Sequence, residues 1–121
     1  MTTSRKPEML CVGRDPLLNG TRRLVLEKYF EVHLAQRVPE ACLLLKAKPF
    51  DLVLLCYSLT DEECQVAIAC IDGLPARPKI LALAQGHQRL LLQGGDEEFA
   101  PSGPAELLAK ASAMVKLPPK T

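Results

Sequence analysis

The sequence predicts an α/β fold, a doubly wound sheet of five parallel strands with helices on both faces. Segments typical of strands and helices alternate along its 121 residues, which suffice for one domain. The run from Phe50 to Leu55 is apolar at nearly every position, which is typical of a strand buried on both faces of a parallel sheet. Right-handed crossovers between such strands place helices on both sides of the sheet.

Composition and charge exclude several classes of function. Hydrophobic residues make up 48% and charged residues 24%, close to the average of globular domains, so the chain is expected to fold. The formal net charge of +1 gives no basic excess for nucleic acid, and no apolar run is long enough to span a membrane. The N-terminus lacks the hydrophobic region of a signal peptide. We therefore expect a cytoplasmic protein whose domain binds neither nucleic acid nor membrane.

Five cysteines occur at positions 11, 42, 56, 64 and 70, without a Cys-x-x-Cys pair or a histidine at metal-ligand spacing. This spacing does not favour a zinc site, and the missing export signal favours reduced thiols. Most of these cysteines are expected to be small buried hydrophobic residues.

The first part of the chain predicts two strands with a helix between them. Met9 to Val12 is a short apolar run, and a second strand covers Glu31 to Ala35. Between them, Asp15 suits a helix N-cap and Pro16 the first helical position. Residues at helical spacing follow, namely Leu17, Leu18, Thr21, Leu24 and Val25, with Arg22, Arg23 and Glu27 expected on other faces.

The middle of the chain predicts a central strand between two helices. The helix before the strand has one face made of Val38, Ala41, Cys42 and Leu45, and Pro49 ends it. The strand runs to Cys56, where a functional side chain is expected, because chemistry in open α/β sheets lies beyond the carboxyl ends of the strands. Thr60-Asp61-Glu62-Glu63 offers a capping box for the next helix. That helix is expected to bury Cys64, Ala67, Ile68 and Ile71 and to end at Gly73.

The last third predicts two further strands and two helices. They are a strand from Lys79 to Ala84, a short helix from His87 to Gln93, a brief strand at Phe99-Ala100 and a final helix from Pro104 to Leu117. The final helix is expected to face inward with Leu107, Leu108, Ala111, Met114 and Val115. We expect residues 1–7 to form a flexible tail, residues 8–117 the domain, and residues 118–121 a tail or linker stub.

Several landmarks together resemble one family. They are the runs Met9 to Leu18, Pro49 to Leu55 and Pro78 to Leu83, followed by Gly95-Asp96-Glu97 and Pro104 to Leu108. From about Met9 to Leu117, the chain resembles a response-regulator receiver (CheY-like) domain of bacterial two-component signalling. The resemblance implies a flavodoxin-like topology with strand order 2-1-3-4-5.

The resemblance does not extend to the residues that carry the family's chemistry. Gly13 and Arg14 stand where the family has an acidic pair that holds a divalent cation, and Asp15 falls one place later, as the helix cap. Cys56 stands at the phosphoacceptor aspartate, and Ala84 at the switch serine or threonine. No lysine occurs near Pro101-Ser102, where the family's lysine should follow the fifth strand, so Ser102 completes the altered pocket. The resemblance thus implies a degenerate receiver, or pseudo-receiver, without a magnesium site, cofactor or enzymatic activity.

Two function hypotheses follow. The first is a phosphorylation-independent receiver-like module of signal transduction that acts through protein contacts. The alternative is a thiol-based redox or electrophile sensor, in which Arg14 lowers the pKa of Cys56. For Cys56 itself, an inert small residue that fills the former pocket is the favoured interpretation, because buried cysteines are usually unreactive. Cys11 is expected on the strand beside the one that ends in Cys56 but about two residues deeper, which disfavours a disulfide without excluding it.

A run of three leucines, Leu90, Leu91 and Leu92, predicts a contact surface. One short helix cannot bury three successive leucines against a single sheet, because they span about 200° of its circumference. At least one of them is therefore expected to be exposed or engaged by a partner, although a single exposed leucine without function stays an open alternative. The expected surface also includes Phe99 and the outer face of the final helix, and its occupant is a protein partner or a second copy of the chain.

Overall fold

The computed structural model describes residues 6–56, 59–75, 77–83, 97–99 and 104–115. Its strands are β1 (Glu8–Val12), β2 (Glu31–Ala35), β3 (Leu52–Leu55), β4 (Lys79–Leu83) and β5 (Glu97–Phe99). Its helices are α1 (Pro16–Leu26), α2 (Val38–Ala47), α3 (Asp61–Asp72) and α4 (Pro104–Val115). The short helix predicted from His87 to Gln93 lies outside the described residues.

The five strands form one parallel sheet in the order β2-β1-β3-β4-β5, which confirms the predicted fold class and strand order. β1 lies between β2 and β3, with Met9 in register with both Val32 and Leu52. The chain leaves β1 toward β2 on one side and later returns to β3 on the other. Ligand sites in sheets of this kind lie at that reversal, beyond the carboxyl ends of the strands.

Three strands begin at a residue other than the predicted one, and β1 does so by one residue, at Glu8 instead of Met9. β3 begins at Leu52 rather than Phe50. Just before the strand, Oδ2 of Asp51 accepts a hydrogen bond from the Glu8 amide at 2.8 Å, and the Asp51 amide donates one to the Glu8 carbonyl. β5 begins two residues earlier than predicted, since Glu97 pairs with Leu81 of β4.

Each face of the sheet has its own apolar core, as the alternation of side chains along the strands requires. α2 and α3 cover one face, where the core includes Leu10, Val12, Val53, Leu55, Ile80 and Ala82 of the strands. α1 and α4 cover the other face, where the core includes Met9, Cys11, Leu52, Leu54 and Leu81. Cys56 belongs to this second core, on the same side of the sheet as α1.

The helix ends agree with the sequence. The Asp15 carboxylate accepts hydrogen bonds from the amides of Leu17 and Leu18 at 3.1 and 3.3 Å, and Pro16 takes the first helical position of α1. α3 has the predicted capping box between Thr60 and Glu63. The predicted inward faces of α3 and α4 are also confirmed, with Leu108 and Val115 at the margin of the core. No helix in the described ranges is long and apolar enough to cross a membrane.

The predicted orientation of α1 is wrong. Leu17 and Leu24 point outward, with 81% and 73% of their surface exposed. Asn19, Arg22 and Leu26 are buried instead, and their spacing of three and four residues places them on one face. Apolar periodicity could not reveal this orientation, because two of the three inward residues are polar. Asn19 and Arg22 interact with groups at the carboxyl end of the sheet.

Replacing Thr60 by alanine is expected to lower the free energy of unfolding by about 1 kcal/mol, because the amide of Glu63 loses its acceptor at 3.1 Å. Thr60→Ser keeps the hydroxyl and serves as the control. Chemical denaturation of both variants measures the difference. Equal stabilities of the alanine and serine variants would contradict a contribution of this cap.

Candidate functional site

Gly13 and Cys56 meet at the carboxyl edge of the sheet, each directly beyond the end of its strand. The Gly13 amide donates to the carbonyl of Ala35 at 3.0 Å, and the Cys56 amide donates to the carbonyl of Val12 at 2.9 Å. These bonds continue the ladders of the sheet past β1 and β3. The backbone therefore fixes both residues at the reversal point of the topology, where a functional site is expected.

Gly13 has no room for a side chain. A Cβ atom there would lie 2.8 Å from Oδ1 of Asn19 and 2.9 Å from both Cβ and Sγ of Cys56. The backbone of Gly13 is not in the left-handed region, so space alone, and not conformation, requires glycine. An acidic side chain at this position would require its neighbours to move.

Asn19 joins the loop after β1 to the thiol. It is buried in α1, and its Nδ2 donates a hydrogen bond to the carbonyl of Gly13 at 2.8 Å. Its Oδ1 lies 3.9 Å from Sγ of Cys56, at the long limit of a thiol contact. Apolar periodicity along α1 does not reveal this residue. One feature of the sequence could have pointed to Asn19. It lies three residues before Arg22, so that the two polar side chains share one face of the helix.

Cys11 and Cys56 are both fully buried, and their Sγ atoms lie 3.7 Å apart. The two-residue offset expected between them is confirmed, because Cys11 is in register with Leu54. No disulfide joins them. The pair is nevertheless close enough for one thiol to donate a hydrogen bond to the other.

The two thiols differ in acidity. A hydrogen bond from Cys11 lowers the pKa of Cys56 below its ordinary value, the charge of Arg22 lowers it further, and burial opposes both effects. The same hydrogen bond, together with burial, raises the pKa of Cys11 well above its ordinary value. When two sites interact this strongly, the proton loss belongs to the pair, in which Cys56 is the more acidic member.

The positive charge near Cys56 comes from Arg22, which corrects the role predicted for Arg14. The side chain of Arg14 is 61% exposed and binds Oε2 of Glu63, through Nε at 3.1 Å and Nη2 at 2.9 Å. A hydrogen bond from the backbone of Thr60 lowers the pKa of Glu63, and Arg14 adds to this effect. Arg22 is only 8% exposed and faces the core that contains Cys56. Arg14 therefore joins the loop after β1 to α3.

Those residues at this edge that the structure describes do not fit a magnesium ion, which binds through hard oxygen ligands. Gly13 offers no carboxylate, the Asp15 side chain caps α1, and the Glu63 side chain binds Arg14 and Thr60. Within the described ranges, no group of three or more acidic, histidine or cysteine side chains is placed to hold a metal ion.

The remaining residues that the sequence singled out cannot be placed at this site. Ala84 and Ser102 lie outside the described residues, as do Leu90, Leu91 and Leu92. Phe99 is the last residue of β5, at the edge of the sheet next to β4.

Comparison with solved structures confirms the resemblance to receiver domains at the level of the fold. A putative response regulator from Chloroflexus aurantiacus has a TM-score of 0.79 and 20% identity, with 93% of this chain and all of that chain covered (100%). A CheY-like receiver domain from Methylobacillus flagellatus has a TM-score of 0.78 and 18% identity over 92% of this chain and 99% of that chain.

A third similar structure is the receiver domain of a sensor histidine kinase from Pseudomonas aeruginosa, with a magnesium ion coordinated in its active-site cleft. Its TM-score is 0.78 at 22% identity, and the match covers 93% of this chain and 99% of that domain. No protein-family model matches the sequence, and neither does a curated protein. The chain therefore has the receiver fold with a sequence that diverges widely from these structures.

Gly13→Ala is expected to lower the free energy of unfolding by about 1–3 kcal/mol, because the new methyl group would overpack the contact with Cys56 and Asn19. Gly20→Ala is the matched control, since no atom lies within 4 Å of a Cβ built at Gly20 within α1. Alanine there should raise the stability by about 0.5–1 kcal/mol. Denaturant unfolding measures both, and two equally stable variants would contradict the close packing around Gly13.

Proposed function

We propose that this chain is a signalling module with the receiver fold that acts through protein contacts and without aspartyl phosphorylation. The observation that carries the proposal is the close packing of Gly13, Asn19 and Cys56 at the ends of β1 and β3. Cys56 occupies the position that corresponds to the phosphoacceptor, and Gly13 leaves no space for an acidic side chain beside it.

The chemistry of phosphoryl transfer supports this proposal. Transfer to a carboxylate requires the carboxylate and a cation that neutralises the growing charge on the phosphoryl oxygens. Cys56 supplies no carboxylate and is fully buried, and the nearby acidic groups cap α1 or bind Arg14. The similar domain from Pseudomonas aeruginosa holds magnesium in its cleft, whereas the residues here do not fit that ion.

The receiver fold supports a role in signal transduction. The solved structures similar to this chain include response regulators and the receiver domain of a sensor kinase, which match it along more than nine-tenths of its length. Receiver domains typically transmit signals by binding other proteins, and we extend this role to the present chain. The proposal includes no enzymatic activity.

Acetyl phosphate with magnesium is expected to leave the mass of the protein unchanged, because no acceptor carboxylate or cation site is available at Cys56. Intact-mass spectrometry would detect a phosphoryl group as a gain of about 80 Da. A receiver domain that keeps its aspartate verifies that the donor is active. A stable adduct on this protein would contradict the proposal, and its loss in Cys56→Ala would assign it to the thiol.

The contact surface stays a prediction from the sequence. It comprises Leu90, Leu91, Leu92, Phe99 and the outer face of the final helix, and its occupant is a protein partner or a second copy of the chain. The buried face of α4 carries Leu107, Ala111 and Met114, which leaves Glu106 and Ala109 exposed on the outer side.

Leu91→Glu is expected to weaken self-association, because a charge would enter an apolar contact surface. Native mass measured over a range of concentrations should show a dimer for the parent chain and a monomer for this variant. Leu24→Glu is the matched control, since Leu24 is an exposed leucine on α1, outside the predicted surface. Dissociation by Leu24→Glu alone would contradict the predicted surface, and a monomeric parent chain would exclude a homodimer.

A further inference from the structure

The sulfur contact between Cys11 and Cys56 brings two reactive groups together inside one core. Both thiols lie on the face of the sheet that α1 covers, and both are fully buried. Cys64 lies in the core on the other face. The separation of 3.7 Å is a van der Waals contact, from which a sulfur–sulfur bond of about 2.05 Å can form only if the two side chains and the chain at Cys56 move.

The surroundings of this pair are polar in a way that simple packing does not require. Burying a guanidinium group costs free energy unless interactions inside the protein compensate for it. Arg22 is 8% exposed, yet α1 turns it inward together with Asn19, while Leu17 and Leu24 remain in solvent. This orientation places a positive charge where it stabilises a thiolate on Cys56.

A second thiol pair provides an internal comparison. Cys42 of α2 forms a side-chain hydrogen bond with Cys70 of α3, and both residues are half-buried. Burial and this hydrogen bond raise the pKa of Cys42 to about 11. The pair is thus more accessible than Cys11 and Cys56, but the thiol of Cys42 is held in its protonated, unreactive form.

We propose that Cys11 and Cys56 form a peroxide-reactive dithiol, in which Cys56 is oxidised first and Cys11 completes an intramolecular disulfide. The Cys56 thiolate attacks one oxygen of a hydroperoxide: a sulfur–oxygen bond forms, the oxygen–oxygen bond breaks, and the departing alkoxide or hydroxide takes up a proton. The Cys11 sulfur, on losing its proton, then attacks the sulfenic sulfur. The disulfide forms, and the sulfenic oxygen leaves as water.

Burial and strain define which reactants fit this dithiol. Because both sulfur atoms are fully buried, a molecule near the size of water reaches them with less opening of the fold than a bulky disulfide needs. The two-residue offset between the cysteines places strain on the product, and strained disulfides are readily reduced by other thiols. The site is therefore suited to a reversible modification, which is independent of whether the chain accepts phosphate.

The test uses the full chain with Cys42→Ser and Cys70→Ser, which keeps Cys11, Cys56 and Cys64. Equimolar hydrogen peroxide is expected to lower its mass by about 2 Da, and peptide mapping should find the bond between Cys11 and Cys56. A phosphoryl adduct would instead raise the mass, so failure of this inference is distinguishable from failure of the proposed function. No bond between these residues under native conditions, or a bond only in denaturant, would overturn the inference.

Further variants assign the steps. In Cys11→Ala, the reaction should stop at a sulfenic acid on Cys56 that dimedone traps, whereas Cys56→Ala should leave Cys11 unmodified. Arg22→Met should slow the oxidation of Cys56 on the order of tenfold near neutral pH. The curve of rate against pH should move to higher pH, as expected when the pKa of Cys56 rises by about one unit. Arg22→Lys keeps the charge and should restore the profile. Unchanged pH profiles in both Arg22 variants, or dimedone on Cys11 in place of Cys56, would contradict the assignment.

Discussion

The structure depends on the close approach of the chain segments that leave β1 and β3. Gly13 permits this approach because it has no side chain, and the space is filled by Cys56 and Asn19. The requirement for Asn19 at this point sets the rotation of α1 about its axis. Once Asn19 faces inward, Arg22 and Leu26 on the same face are buried as well, and Leu17 turns to solvent.

This one contact changes the electrostatic character of the site. A receiver pocket that holds magnesium needs a concentration of acidic side chains, which a bound cation neutralises. Here the acidic groups serve other contacts: Asp15 caps α1 and Glu63 binds Arg14. The buried charge is instead the guanidinium of Arg22, which favours an anion on Cys56. The scaffold that holds a magnesium ion in the similar receiver domain therefore buries a guanidinium group and a thiol in this chain.

The sequence predicted the elements that depend on local rules. The strand order, the Asp15 cap and the Thr60–Glu63 capping box are confirmed, because caps and buried strands have compositions that short stretches of sequence reveal. The predicted orientation of α1 was wrong, since apolar spacing assigns polar residues to the surface even where one of them, here Asn19, has a buried hydrogen-bond partner. For the same reason, the sequence named Arg14 rather than Arg22 as the cation near Cys56.

The thiol pair shows why a site is harder to predict than the strands that build it. The sequence placed Cys11 two residues deeper than Cys56, and the register confirms that offset. An offset of two residues keeps both side chains on the same face of the sheet, so that the diagonal neighbours can still touch. Backbone register alone therefore suggested separation, whereas the directions of the side chains produce contact between the two sulfur atoms.

The loop after β1 connects this site with two helices. Gly13 contacts Cys56, Arg14 binds Glu63 of α3, and Asp15 caps α1. These three successive residues therefore contact three different parts of the fold. Cores are densely packed and transmit small displacements, so this loop links the surroundings of Cys56 to the beginnings of both helices.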